Sequence, residues 1–186
     1  MKRSSAKKIT FTALCAAINI AGAYLALALR LPVYLDSIGT VLGAALLGPF
    51  SGITAACLSG IVSGITSDVY AFYYMPVGMI TGLIAGLLFR HGWFRKWKFP
   101  LGVLLMTLPG TILSSCITAF VFSGVTSSGS SILVQLLHRA GLGIAAASFI
   151  VQILTDYLDR AISAAAVCTL LPRLSPRIKS AWKEKE

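Results

Sequence analysis

Acidic side chains are scarce in this chain. Six Asp and Glu face sixteen Lys and Arg in 186 residues, and charge of both signs reaches only 12%, about half the share of soluble domains. Histidine is nearly absent: His91 lies in a basic loop and His138 at a loop–helix junction, neither with a ligand-like neighbour, so no metal is expected. Cys15, Cys57, Cys116 and Cys168 sit in separate apolar runs without paired spacing, and read as small packing residues rather than disulfides or metal ligands. There is no phosphate-cradling Walker loop, no His-Glu-x-x-His and no Gly-x-Ser-x-Gly; nucleotide hydrolysis, zinc proteolysis and serine-hydrolase chemistry lose their usual residues. The connections between apolar runs are too short for a soluble catalytic domain, so energy for any transport has to come from partners or ion gradients.

Apolar length is what the chain has instead. With 56% hydrophobic residues and a mean hydropathy of +0.83, it reads as an all-α polytopic membrane protein, one integral domain over residues 1–186. Six transmembrane helices are expected at about 9–29, 34–48, 50–66, 75–89, 101–122 and 140–171, against roughly 20 residues for a hydrocarbon core about 30 Å thick. The second and third are short, so a re-entrant hairpin is an alternative to two full crossings. Ala26-Leu27-Ala28 has the look of a signal cleavage site, but the first run exceeds a typical signal core and is expected to stay. Thirteen of the sixteen basic residues cluster around Lys2–Lys8, Arg90–Lys98 and Arg173–Lys185. An even number of crossings puts all three on one side, which by the positive-inside rule makes both termini cytoplasmic. These tails lack the groove and interleaved aromatics of a nucleic-acid site, and no nucleic-acid partner is expected.

Small residues at fourfold spacing recur along the spans: Ala13, Ala17 and Ala21 in the first, and Gly52, Ala56, Gly60 and Gly64 in the third, beside Ser51, Ala55, Ser59 and Ser63. Such rows let helices approach closely in a membrane. Polar groups stand out against them. Asn19 suits an interhelical hydrogen bond or a ligand contact; Tyr34 and Asp36 open the second span; Asp68, Tyr70, Tyr73 and Tyr74 form either an interfacial aromatic belt or a pocket wall. Residues 123–131 read as a flexible Gly/Ser loop, and Pro109-Gly110 as a bend in the fifth span. In the last span Gln152, Asp156 and Asp159 share one helical face with Arg160 on its flank. Charges at that depth cost a few kcal/mol each unless paired or watered. Asp156 with Arg160 at i,i+4 is one resolution; a cavity shared with Asp36 is the other. Asp156-x-x-Asp159 also has the opening of a CDP-alcohol phosphotransferase motif, but the Gly and further acids of that motif are missing, so no enzyme is expected.

The ordered set Ala13-x-x-x-Ala17, Leu-Pro-Val-Tyr-Leu-Asp-Ser-Ile-Gly-Thr (31–40), Ala-Leu-Leu-Gly-Pro (45–49), Pro76-Val-Gly-Met-Ile-x-Gly-Leu-x-Ala-Gly and Asp159-Arg-Ala-Ile-Ser resembles the S-components of energy-coupling factor (ECF) transporters. The resemblance implies a multi-pass protein of the bacterial plasma membrane with no ATPase of its own and no cofactor. It would capture a vitamin from outside and topple on a transmembrane coupling subunit driven by two cytosolic ATPases. It places the Ala13, Ala17 and Ala21 stripe against the coupling subunit, and the substrate near Tyr34, Asp36, Asp68, Tyr73, Tyr74, Gln152, Asp156 and Asp159. Overall likeness favours cobalamin, with a queuosine precursor or pantothenate as alternatives. The Leu-Asp-x-x-Gly-Thr element also resembles sensor domains of membrane histidine kinases, and a membrane sensor is the reading from another class.

Overall fold

The computed structural model describes residues 2–94 and 96–173; Arg95 and the basic tail from Arg177 to Lys185, both used in the charge pattern above, lie outside the described residues. Among the described residues seven α-helices make up the fold: α1 Lys2–Ala28, α2 Ile38–Leu47, α3 Pro49–Thr66, α4 Tyr70–Arg90, α5 Phe99–Cys116, α6 Ser130–Arg139 and α7 Ile144–Arg173. A 3-10 turn at Lys96–Lys98 leads into α5, and a π-helical turn at Ile117–Val121 extends it. No strand occurs among the described residues.

Four of these helices are long and apolar enough to cross a membrane: Ala6–Ala28, Pro49–Thr66, Tyr70–Arg90 and Phe99–Val121. α7 has the length, but Asp156, Asp159 and Arg160 fall in its middle. α2, with ten residues, is only about 15 Å long, half a hydrocarbon core.

Contacts between helices show how the short α2 fits. Gly39 abuts the backbone of Cys15, so α2 starts well down α1, and its end at Gly48 meets the Arg90 guanidinium at the foot of α4. The segment before α2, residues 31–37, is non-helical and occupies the depth that a longer helix would fill. Of the span expected at 34–48, residues 34–37 are therefore loop and only Ile38–Leu47 is helix. Gly48, at φ 93°, makes the reversal, and Pro49 starts α3, where its missing N–H costs nothing.

From there α3 and α4 run antiparallel in close contact, Gly52 on Gly82 and Gly64 under the Phe72 ring. Thr111 and Ser115 of α5 meet Asp156 and Gln152 of α7 in the antiparallel order. The alternation brings Lys7, Lys8, Arg90, Lys98 and Arg173 to one end of the bundle. Pro109 sits inside α5 without ending it, and Gly110 beside it lets α5 approach Val77 and Thr81. Residues 123–129 are a loop, as expected, and α6 occupies Ser130–Arg139, a stretch between that loop and the last span to which the sequence assigns no element; the last long helix begins at Ile144 rather than 140.

The core is built from small side chains. Cys15, Val41, Ala44, Ala55, Ala85, Val103, Ala164 and Val167 are buried with Met106, whereas Phe50, Ile65, Phe120 and Leu154 face outward. Bulky groups outside and small ones inside suit a bundle bathed in lipid, where close packing rather than water exclusion holds helices together. All four cysteines are free.

Candidate functional site

The extended segment 31–37 determines where a site can form. Gly22 of α1 lies flat against the Leu35 backbone; a Cβ there would overlap the carbonyl. Leu35 itself adopts φ 52°, a left-handed conformation costing a non-glycine residue of order 1–3 kcal/mol unless its surroundings hold it. Non-helical backbone inside a membrane bundle is tolerable only where protein or a watered cavity satisfies its polar groups.

Asp159 supplies those partners. Its Oδ1 accepts from the Leu35 amide at 2.7 Å and its Oδ2 from Ser37 Oγ at 2.6 Å. Arg160, next in the chain, donates to the same Oδ2 and, at 3.2 Å, to Ser37 Oγ, and Ser163 Oγ closes the cluster 3.0 Å from Ser37 Oγ. The ion pair is thus Asp159 with Arg160, not Asp156 with Arg160, and it is the only one among the described residues.

The start of α2 is held from α1. Ser37 makes no side-chain cap; instead Asn19 Oδ1 accepts from the amides of Gly39 at 2.7 Å and Thr40 at 3.2 Å, two donors that a helix start leaves unpaired. Asn19 Nδ2 donates to Thr40 Oγ1 at 2.8 Å and Ser59 Oγ at 3.3 Å, so its interhelical role is realised.

Beside this cluster lies a cavity with an open mouth. Asp36, Asp156 and Arg160 line its charged wall, and Tyr34 and Tyr74, with ring centroids 6.4 Å apart, its aromatic one. Ser59, Gly60 and Ser63 of α3 form the opposite side, and Asp68, Ser127 and Ser128 its rim, where Ser127 donates to Asp68.

The two cavity acids differ from Asp159. Asp156 Oδ2 accepts from Thr111 at 2.8 Å and Ser114 at 3.3 Å, which leaves its Oδ1 for another donor. Asp36 is exposed in the middle of the fold, and what it is exposed to is the cavity; no side chain hydrogen-bonds its carboxylate among the described residues. Three carboxylates around one guanidinium give this region a formal charge of about −2 in Coulombic reach of a bound molecule.

Gln152 also lines the cavity, but its amide is spent. Ser114 and Ser115 lie 2.8 and 2.9 Å from its Oε1, and its Nε2 donates to Thr118 Oγ1, which also bonds Tyr74 Oη at 2.6 Å. The π-helical turn carries Thr118; such turns commonly mark functional sites, because one extra residue re-aims a side chain.

Of the residues the sequence nominated for substrate, Tyr34, Asp36, Asp68, Tyr74, Gln152 and Asp156 line one cavity, while Asp159 and Tyr73 do not. Asp159 is turned to the loop, and Tyr73 packs edge-on against Phe122 with centroids 5.0 Å apart. Ser59, Ser63 and Ser114 join the lining without having been nominated, and so does Tyr70, which the sequence offered for a pocket wall or an aromatic belt. Ser59 and Ser63 had been assigned to a packing row, although two hydroxyls one turn apart also make a polar stripe. Ala13, Ala17 and Ala21 are exposed on the outer side of α1, with no element among the described residues over them.

No curated protein and no solved structure matches the chain. The family model described as ECF transporter, substrate-specific component, matches residues 7–171, from the first turns of α1 to the last turn of α7. The chain therefore belongs to the ECF transporter substrate-specific component family: it is a membrane-embedded, substrate-binding transport subunit and not itself an ATPase.

Proposed function

We propose that the chain binds a vitamin-type molecule in the cavity between Asp36 and Asp156 and releases it to the cytoplasm by tilting on a transmembrane coupling subunit. Family membership implies association with an ECF module of a transmembrane subunit and ATPase subunits. Six crossings with both termini cytoplasmic fit this role: the basic end of the bundle faces inward by the positive-inside rule, and the cavity mouth lies toward the other end. Discontinuous helices beside a polar cavity are a common way for transporters to present a binding site. The uncovered Ala13, Ala17 and Ala21 stripe is the surface proposed for the coupling subunit.

The observation that carries the binding role is Asp36, a carboxylate open to the cavity with no side-chain donor among the described residues. With Asp156 half satisfied beside it, the site calls for a ligand that brings N–H or O–H donors or positive charge, since a ligand that covered these carboxylates without pairing them would make their desolvation costly. Cobalamin, fringed with amide donors, is the substrate we propose, and an amine-bearing queuosine precursor meets the same demand. Pantothenate, a carboxylate, does not.

Mass spectrometry of the molecule that copurifies with the chain tests the assignment; a carboxylate ligand would contradict the electrostatic argument. Uptake should vanish when the partner ATPases are inactivated while binding in detergent persists. Uptake that survives that inactivation would overturn the transport role. Ala13→Trp with Ala17→Trp should abolish uptake and complex assembly but not binding; assembly that survives would remove the stripe from the interface.

A further inference from the structure

Three basic residues stand apart from the charge clusters of the sequence: Arg30, Arg139 and Arg160. Arg160 is accounted for by Asp159. The other two, from positions over a hundred residues apart in the chain, line the same open groove, at the end of the bundle away from Lys7 and Lys8. Neither forms an ion pair among the described residues, and the groove lining contains no acid.

The rest of the groove is apolar on one side and hydroxylated on the other. Leu27, Val125, Ile132 and Leu136 give the greasy wall; Ile132 and Leu136 of α6 are 73% and 63% exposed, although the opposite face of α6 packs Val134 onto Ala147 and Val151 of α7. Thr126 and Ser131 stand on the polar side. Arg30 follows directly on the apolar run Ala6–Ala28, so it stands where hydrocarbon gives way to headgroups. The position is fixed: Gly129 abuts the Arg30 carbonyl, with no room for a Cβ, and Arg30 takes the left-handed φ of 51°.

We propose that this groove binds one anionic phospholipid, its phosphate between Arg30 and Arg139 and an acyl chain along Leu27, Ile132 and Leu136. Two guanidiniums without ion pairs are complementary to a phosphate in the sign of their charge and in fork geometry, and exposed apolar side chains directly beside them match the chain attached to it. A soluble anion has no use for the greasy wall, and a neutral lipid none for two arginines. Leu27, Ser127 and Ser128 border both this groove and the central cavity, so an occupied groove braces the wall of the cavity from outside. The lipid site does not depend on the identity of the transported molecule.

Native mass spectrometry of the full chain, released from detergent with equal amounts of phosphatidylglycerol and phosphatidylcholine, is the test. The wild type should retain one phosphatidylglycerol more firmly than any phosphatidylcholine. Arg30→Gln with Arg139→Gln should lower that preference roughly thirtyfold, at about one kcal/mol per cation near an anionic headgroup, and Arg30→Lys with Arg139→Lys should keep part of it. Lys7→Gln with Lys8→Gln removes the same charge at the other end and should leave the adduct in place. An unchanged preference in the arginine double variant overturns the proposal, as does an equal loss in the lysine one. Glycerol 3-phosphate binding with the same arginine dependence would make the site one for a soluble phosphate and would also overturn it.

Discussion

Asp156 and Asp159 lie one turn apart on the same helix, yet they belong to two regions with opposite designs. Around Asp159 both carboxylate oxygens are spent: a backbone amide, a serine and an arginine converge on them, and the result is a clasp between the α1–α2 segment and α7. Around Asp36 and Asp156 the groups are placed but not consumed, and empty space takes the position of the missing donor. A buried acid is thus no sign of function by itself; what distinguishes the two is whether the protein has already used its lone pairs.

The largest effect should come from breaking the clasp. Asp159→Ala takes the ion-pair partner from Arg160 and the acceptor from the Leu35 amide, at a cost of about 3–5 kcal/mol; thermal unfolding in detergent should show a much less stable protein, with binding lost along with the fold. Asp36→Asn tests the open region. The melting temperature should hold while affinity for the copurified ligand falls about 10- to 100-fold, the worth of a charged hydrogen bond. If the two substitutions destabilised the protein equally, the distinction between clasp and cavity would fail.

Asn19→Ala stands between the regions, since Asn19 caps α2 and touches the cavity. It should cost about 1–2 kcal/mol of stability, read from the same melts, with a smaller loss of affinity than Asp36→Asn gives. Tyr73→Ala should matter least, leaving affinity within about twofold; a loss as large as that of Asp36→Asn in a binding titration would bring Tyr73 back into the site.

The regular spans were legible because length and hydropathy suffice for them: α1, α3, α4 and α5 lie close to where the apolar runs put them. The α1–α2 segment was not. Leu31, Val33, Tyr34 and Leu35 are as apolar as a helix would be, and hydropathy does not tell an extended strand of chain from a helical one. α6 was missed because its apolar stretch is short and starts in a serine run. For the site, helical periodicity grouped Gln152, Asp156 and Asp159 on one face but carried no information about which neighbour each would meet. Asp159 met a backbone amide of a segment whose path only the three-dimensional structure shows. Ser59 and Ser63 were hidden by their size, since a small polar side chain suits both a packed ridge and a cavity wall.

The split crossing at residues 31–47 also bears on how such a scaffold can diversify. Its fold is secured by Asn19, Asp159 and the small residues between helices, whereas the groups that face the cavity hang on the loop, α3, α4, α5 and α7 as single, replaceable side chains. Exchanging Asp36, Tyr34 or Ser63 leaves the anchoring contacts untouched. Substitutions on the cavity wall can therefore be made one residue at a time while the contacts that secure the fold stay in place.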